Sequence, residues 1–75
     1  MVVAYILFVV EPGSENKVAD KLIKRKGVKD ISVVYGEYDL IAKLEVESMS
    51  GLQDFVISVR KNSSVKRTTT MIAVQ

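Results

Sequence analysis

The chain has 75 residues, of which 48% are hydrophobic and 27% charged, with a net charge of +2 and neither Cys nor His. A domain this small buries only about 60% of the surface its unfolded chain exposes, so its core is thin. Without Cys and His there are no disulfide staples, no thiolate or imidazole metal sites, no cysteine nucleophile and no imidazole base, and no cofactor is expected.

Val2 to Val10 is rich in β-branched and aromatic residues and stops at Glu11-Pro12-Gly13, which reads as a first strand closed by a turn. Ser14 offers an N-cap hydroxyl and Glu15 an acid for the start of a helix, in which Val18, Ala19, Leu22 and Ile23 form one apolar stripe. Gly27 follows the basic Lys24-Arg25-Lys26 turn where a left-handed residue belongs, so the helix is expected from about Ser14 to Lys26. Val28 to Tyr35 and Asp39 to Val46 alternate as two strands, and Gly36-Glu37 suits a two-residue type II′ loop between them. Ser48 or Ser50 can cap a second helix with Met49, Leu52, Phe55, Val56 and Val59 as its buried stripe. After the Asn62-Ser63-Ser64 break, Val65 to Val74 closes the chain as a fourth strand with a run of three threonines. The order is βαββαβ, a ferredoxin-like α+β fold: a four-stranded antiparallel sheet with both helices on one face, in a single domain over residues 1–75.

The first strand carries Val3, Tyr5, Leu7 and Val9 on one side and Val2, Ala4, Ile6, Phe8 and Val10 on the other. Strands apolar on both sides are covered on both sides, yet the helices cover only one. At about 25 cal/mol per Å² of apolar area, leaving four such side chains in water forgoes several kcal/mol, comparable to the whole stability of a small domain. Sheet-to-sheet pairing of two copies is the simplest cover, with Tyr5, Leu7 and Val9 as candidate interface residues, although the pattern leaves open which row faces the partner.

Basic residues cluster at Lys21, Lys24, Arg25, Lys26 and Lys29, and again at Arg60, Lys61, Lys66 and Arg67. Both clusters fall at helix ends, where cations complement the dipole and keep the surface soluble, so they do not by themselves indicate nucleic acid. The third strand has no exposed aromatic for base stacking, which argues against an RNA-recognition module. With only two Asn and two Gln, the composition points to a thermophilic source. The run Met1 to Val10 is too short for the about 20 helical residues that cross a bilayer and has no signal-peptide flanks, so a cytoplasmic location is expected. No catalytic set is present: the serines lack a base and there is no phosphate-binding loop, so the chain is not expected to be an enzyme.

The segment Tyr35-Gly36-Glu37-Tyr38-Asp39-Leu40 is the most informative. Its plain reading is a tight turn in which Asp39 accepts bonds from backbone amides. Two tyrosines and two carboxylates at one sheet edge also suit an ammonium group, and Thr68-Thr69-Thr70 would add hydroxyls.

Gly36-x-Tyr38-Asp39-Leu40-Ile41 entering the third strand, the stripe ending at Phe55-Val56, then Val65 and a threonine-rich last strand together resemble the effector-binding (RAM) domain of the Lrp/AsnC, or feast/famine, regulators. The resemblance covers the whole chain. It implies a sheet-to-sheet dimer that assembles further into rings such as octamers or decamers, with amino-acid effectors held between dimers. Carried over by position, the ligand site would comprise Gly36, Tyr38 and Asp39 with Thr68 and Thr70. Because the first strand follows Met1 at once, with no helix-turn-helix before it, the expectation is a stand-alone RAM protein that does not bind DNA or membrane but senses an amino acid or related metabolite and co-assembles with full-length regulators. The rival expectation is a purely structural oligomerisation module without a small ligand.

Overall fold

A computed structural model describes residues 1–74. In chain order they form β1 (Val2–Val10), α1 (Glu15–Ile23), β2 (Val28–Val33), β3 (Leu40–Val46), α2 (Met49–Arg60) and β4 (Val65–Ile72). The strands make one antiparallel sheet in the order β2-β3-β1-β4, the ferredoxin-like arrangement expected from the sequence. None of the described helices is long and apolar enough to cross a membrane.

The core lies between one sheet face and the helices. Ala4, Ile6, Phe8 and Val10 of β1 and Leu40, Ala42 and Leu44 of β3 pack with Val18 and Leu22 of α1 and Leu52, Phe55 and Val59 of α2. In two of the core pairs across the central strands a large residue faces a small one, Ile6 opposite Ala42 and Leu44 opposite Ala4, while Phe8 faces Leu40. That alternation gives helix side chains hollows to enter, and each large side chain so buried contributes about 1.5–3 kcal/mol. Val3, Tyr5, Leu7 and Val9 are only half-buried, because they occupy the face that no helix covers.

Two irregularities keep charged residues out of this core. The pairing of β2 with β3 shifts between Val28 and Asp30, so Lys29 is the extra residue while Val28 and Ile31 both reach the core. The pairing of β1 with β4 shifts in the same way: Val9 faces Arg67 but Val10 faces Val65. Without that bulge Lys66 would stand opposite buried Val10; with it Lys66 turns outward and pairs with Glu11.

Helix α1 stops where its apolar stripe stops, short of the Lys26 end that Gly27 suggested. It ends at Ile23 with Lys24 as C-cap, because the Arg25 amide bonds the Leu22 carbonyl at 2.9 Å and the chain turns. The Arg25 guanidinium then lies 5.0 Å from the centre of the Phe55 ring, tying the turn after α1 to α2. Ser14 occupies the N-cap position, but its φ of −99° and ψ of 3° aim the hydroxyl backwards, where it donates to the Glu11 carbonyl at 2.6 Å instead of accepting from the helix. Ser48, in extended conformation, does cap α2, accepting from the Gly51 amide at 3.3 Å, while Ser50 bonds the Ser48 hydroxyl. Strand β2 stops at Val33 and β4 at Ile72, each two residues before the end suggested by β-branched composition.

Gly27 sits at φ +92°, and a Cβ there would lie 2.7 Å from the Glu45 carbonyl oxygen, the neighbour whose amide bonds the Gly27 carbonyl at 2.8 Å. Gly36 has φ +115° with nothing within 4 Å of the same position. Denaturant unfolding should therefore rank Gly27→Ala as the costlier change, at about 3 kcal/mol against about 1 kcal/mol for Gly36→Ala. Equal losses at the two positions would contradict the close approach at Gly27.

Candidate functional site

The connection between β2 and β3 runs from Val34 to Asp39, and the Val34 amide on the Asp39 carbonyl at 2.9 Å closes a four-residue loop, Tyr35 to Tyr38. The expected two-residue type II′ turn does not form, although Gly36 still supplies the positive φ at the tip. The reason lies in Asp39. Its amide turns to the Phe8 carbonyl at 2.8 Å, and its carboxylate Oδ2 accepts from the Val10 amide at 2.9 Å. The β1–β3 ladder ends at Phe8 and Leu40, so Val10 has no backbone acceptor on that side, and Asp39 supplies one. Asp39 is thus part of the fold before it is part of any site.

Tyr38 leaves this corner on the β3 side of β1 and reaches Thr69 on the β4 side, the two hydroxyls lying 3.1 Å apart. Thr69 stands opposite Leu7, on the face without helices, so the Tyr38 side chain spans the open face near the end of β1. Arg67, opposite Val9 on the same face, places its guanidinium 5.5 Å from the centre of the Tyr38 ring. Tyr38, Asp39, Arg67 and Thr69 thus gather at one end of the open face, next to the half-buried column of Val9, Leu7 and Tyr5.

Thr68 and Thr70 are not brought to this cluster. They stand opposite Phe8 and Ile6 and so share the helix-covered face. Thr70 lines an apolar groove of about 340 Å³ between α2 and β4, with Met49, Leu52, Val56, Ile57 and Ile72. Gly36 is exposed at the hairpin tip beside a fully exposed Tyr35. In the sequence Thr69 stands out only as one of three hydroxyls and Arg67 only as part of a basic cluster, because strand parity in β4 depends on the bulge at Lys66, which no residue type announces. A second hollow, of about 400 Å³, lies at the opposite end of the sheet between Gly27 and the start of α2. Neither concavity includes Tyr38, Asp39 or Arg67. Among the described residues no cluster of carboxylates could hold a metal ion.

Residues 3–75 match the family model described as the Lrp/AsnC ligand binding domain. The chain belongs to the Lrp/AsnC family. Among curated relatives, the HTH-type transcriptional regulator FL11 of Pyrococcus furiosus is 30% identical over 74 residues, which is 99% of this chain and 49% of the regulator. The chain therefore spans about half the length of the curated relatives it matches. Among solved structures, FFRP-DM1 superposes with a TM-score of 0.95 at 44% identity, covering 99% of this chain and 100% of the other. Protein PHS023 from Pyrococcus horikoshii gives a TM-score of 0.93 at 43% identity, covering 100% and 92%. The Lrp/AsnC fold also extends to the transcriptional regulator NMB0573 of Neisseria meningitidis, solved as an L-Met complex, at 16% identity and a TM-score of 0.86 over 99% of this chain and 50% of the other. The family is one of ligand-binding domains of transcriptional regulators and not an enzyme class.

Replacing Asp39 by Ala should cost about 2 kcal/mol in denaturant unfolding, since a charged acceptor is removed from a strand amide. Tyr38→Phe, which loses one hydroxyl contact between half-buried groups, should cost less than about 1 kcal/mol. A reversed order would show that Asp39 does not secure the end of β1.

Proposed function

We propose that this Lrp/AsnC domain is an oligomeric sensor that binds an amino acid at the Gly36–Asp39 hairpin and modulates full-length regulators of its family in the cytoplasm. The observation that carries the reading is the grouping of Tyr38, Asp39, Arg67 and Thr69 at the end of the sheet face that the helices leave uncovered, beside the apolar row of β1. The cluster supplies a carboxylate, a guanidinium and an aromatic face, the groups that recognise a zwitterion. It lies on a surface and not in a closed pocket, whereas small-molecule sites bury most of their ligand. A second copy laid over the open face, through Tyr5, Leu7 and Val9, would complete the enclosure, and rings built from such dimers would add further walls. The L-Met complex of the Neisseria meningitidis regulator supports an amino acid as the ligand class.

In this reading Gly36 lets the hairpin turn, Tyr38 forms a wall and Asp39 carries negative charge. Thr68 and Thr70 take part only indirectly, through the packing of β4. The rival reading, an oligomerisation module without a small ligand, draws on the fact that Asp39 already serves the Val10 amide.

Thermal unfolding in the presence of each of the twenty L-amino acids separates the two. At 100 times its dissociation constant an amino acid that binds the folded state adds about 2.7 kcal/mol, which raises the melting temperature by several degrees. Curves that stay unmoved at millimolar concentration across the set would favour the rival. Asp39→Ala is a poor discriminator because it also weakens the fold; Tyr38→Phe combined with Thr69→Val disturbs the cluster while leaving the Val10 amide satisfied.

A further inference from the structure

We infer that Arg67 is the carboxylate anchor of the hairpin site and thereby restricts its ligands to molecules with a free α-carboxylate. The inference rests on the amino-acid reading above and goes further, assigning a ligand group to a residue outside the hairpin.

Three features of Arg67 lead to it. First, the β4 bulge puts Arg67 opposite Val9 and on the open face, while its neighbour Lys66 turns away to pair with Glu11. Bulges beside binding sites commonly re-aim one side chain in this way. Second, the guanidinium is positioned by the Tyr38 ring and not by a carboxylate: among the described residues no acidic oxygen lies within 4.0 Å of it. Attraction to a ring face steers the group but leaves its in-plane N–H donors available, and that planar fork matches a carboxylate with two parallel bonds. Third, the Tyr38 ring is held by its hydroxyl contact with Thr69, so the platform under Arg67 is fixed at its far end.

Asp39 completes the charge pattern. Its Oδ2 is committed to the Val10 amide, but the second carboxylate oxygen has no protein donor among the described residues. Asp39 meets β1 from the β3 side and Arg67 lies against Tyr38 from β4, so the acid and the base flank β1. A small molecule bearing both an ammonium and a carboxylate fits that opposition, whereas an amine or amide satisfies one half of it.

The test pairs each of the twenty L-amino acids with its carboxamide and measures affinity by calorimetry for the wild-type protein, Arg67→Gln and Arg67→Lys. The wild-type protein should bind the best acid at least about tenfold more tightly than its amide. Arg67→Gln should lose that preference, and Arg67→Lys, which keeps the charge without the fork, should retain part of it. Side-chain NMR of the Arg67 Nε–H should move on adding the acid and stay in place with the amide. If Arg67→Gln weakens acid and amide by the same factor, Arg67 acts only by stiffening Tyr38 and the inference is overturned. Unchanged affinities in Arg67→Gln overturn it equally. Failure of every amino acid to bind the wild-type protein is a different result: it removes the sensor reading and the role of Arg67 with it.

Discussion

The open face of the sheet is the constraint on which the rest depends. Both helices must pack on one side, because the two crossovers from β1 to β2 and from β3 to β4 share one hand, yet the central strand β1 is apolar on both sides. Ala4, Ile6, Phe8 and Val10 are buried under the helices, and Val3, Tyr5, Leu7 and Val9 are left half-covered by their strand neighbours alone. In a chain that can spare so little apolar area, the second row is the surface that the proposed second copy would cover, at about 25 cal/mol per Å².

The candidate site grows from the same face. Where β1 outruns its ladder with β3, a strand amide needs an acceptor, and Asp39 provides it with its side chain. That contact anchors the foot of Tyr38, whose ring crosses the face to Thr69 and carries Arg67 above it. One structural necessity, closing the end of a central strand, thus gathers an acid, an aromatic and a base at the margin of the uncovered surface. An oligomer built on that surface would place new walls beside the cluster, which links assembly to ligand capture within a single geometry.

The succession of strands and helices along the chain and the two faces of β1 were legible in the sequence because each rests on a repeat of two or of three to four residues, and apolar stripes such as Leu52, Phe55 and Val59 obey it strictly. Legibility failed where the repeat is broken. The bulge at Lys66 shifts the parity of β4 by one residue, so the threonine that meets Tyr38 is Thr69, while Thr68 and Thr70 share the face that packs on the helices. The hairpin was located correctly, but its length depends on a long-range bond from Asp39 to β1 that turn preferences do not contain. Ser14 failed as a cap for a similar reason: the Pro12-Gly13 turn sets its backbone angles, and residue type alone does not reveal them.

Sedimentation velocity of the purified protein at micromolar concentration addresses the central claim most directly. The protein is expected to sediment as a dimer or a larger assembly, with Leu7→Glu shifting it towards the monomer while the helical content of the chain persists. A wild-type protein that sediments as a stable, folded monomer across that range would show that the open face of β1 needs no cover, and would contradict the account.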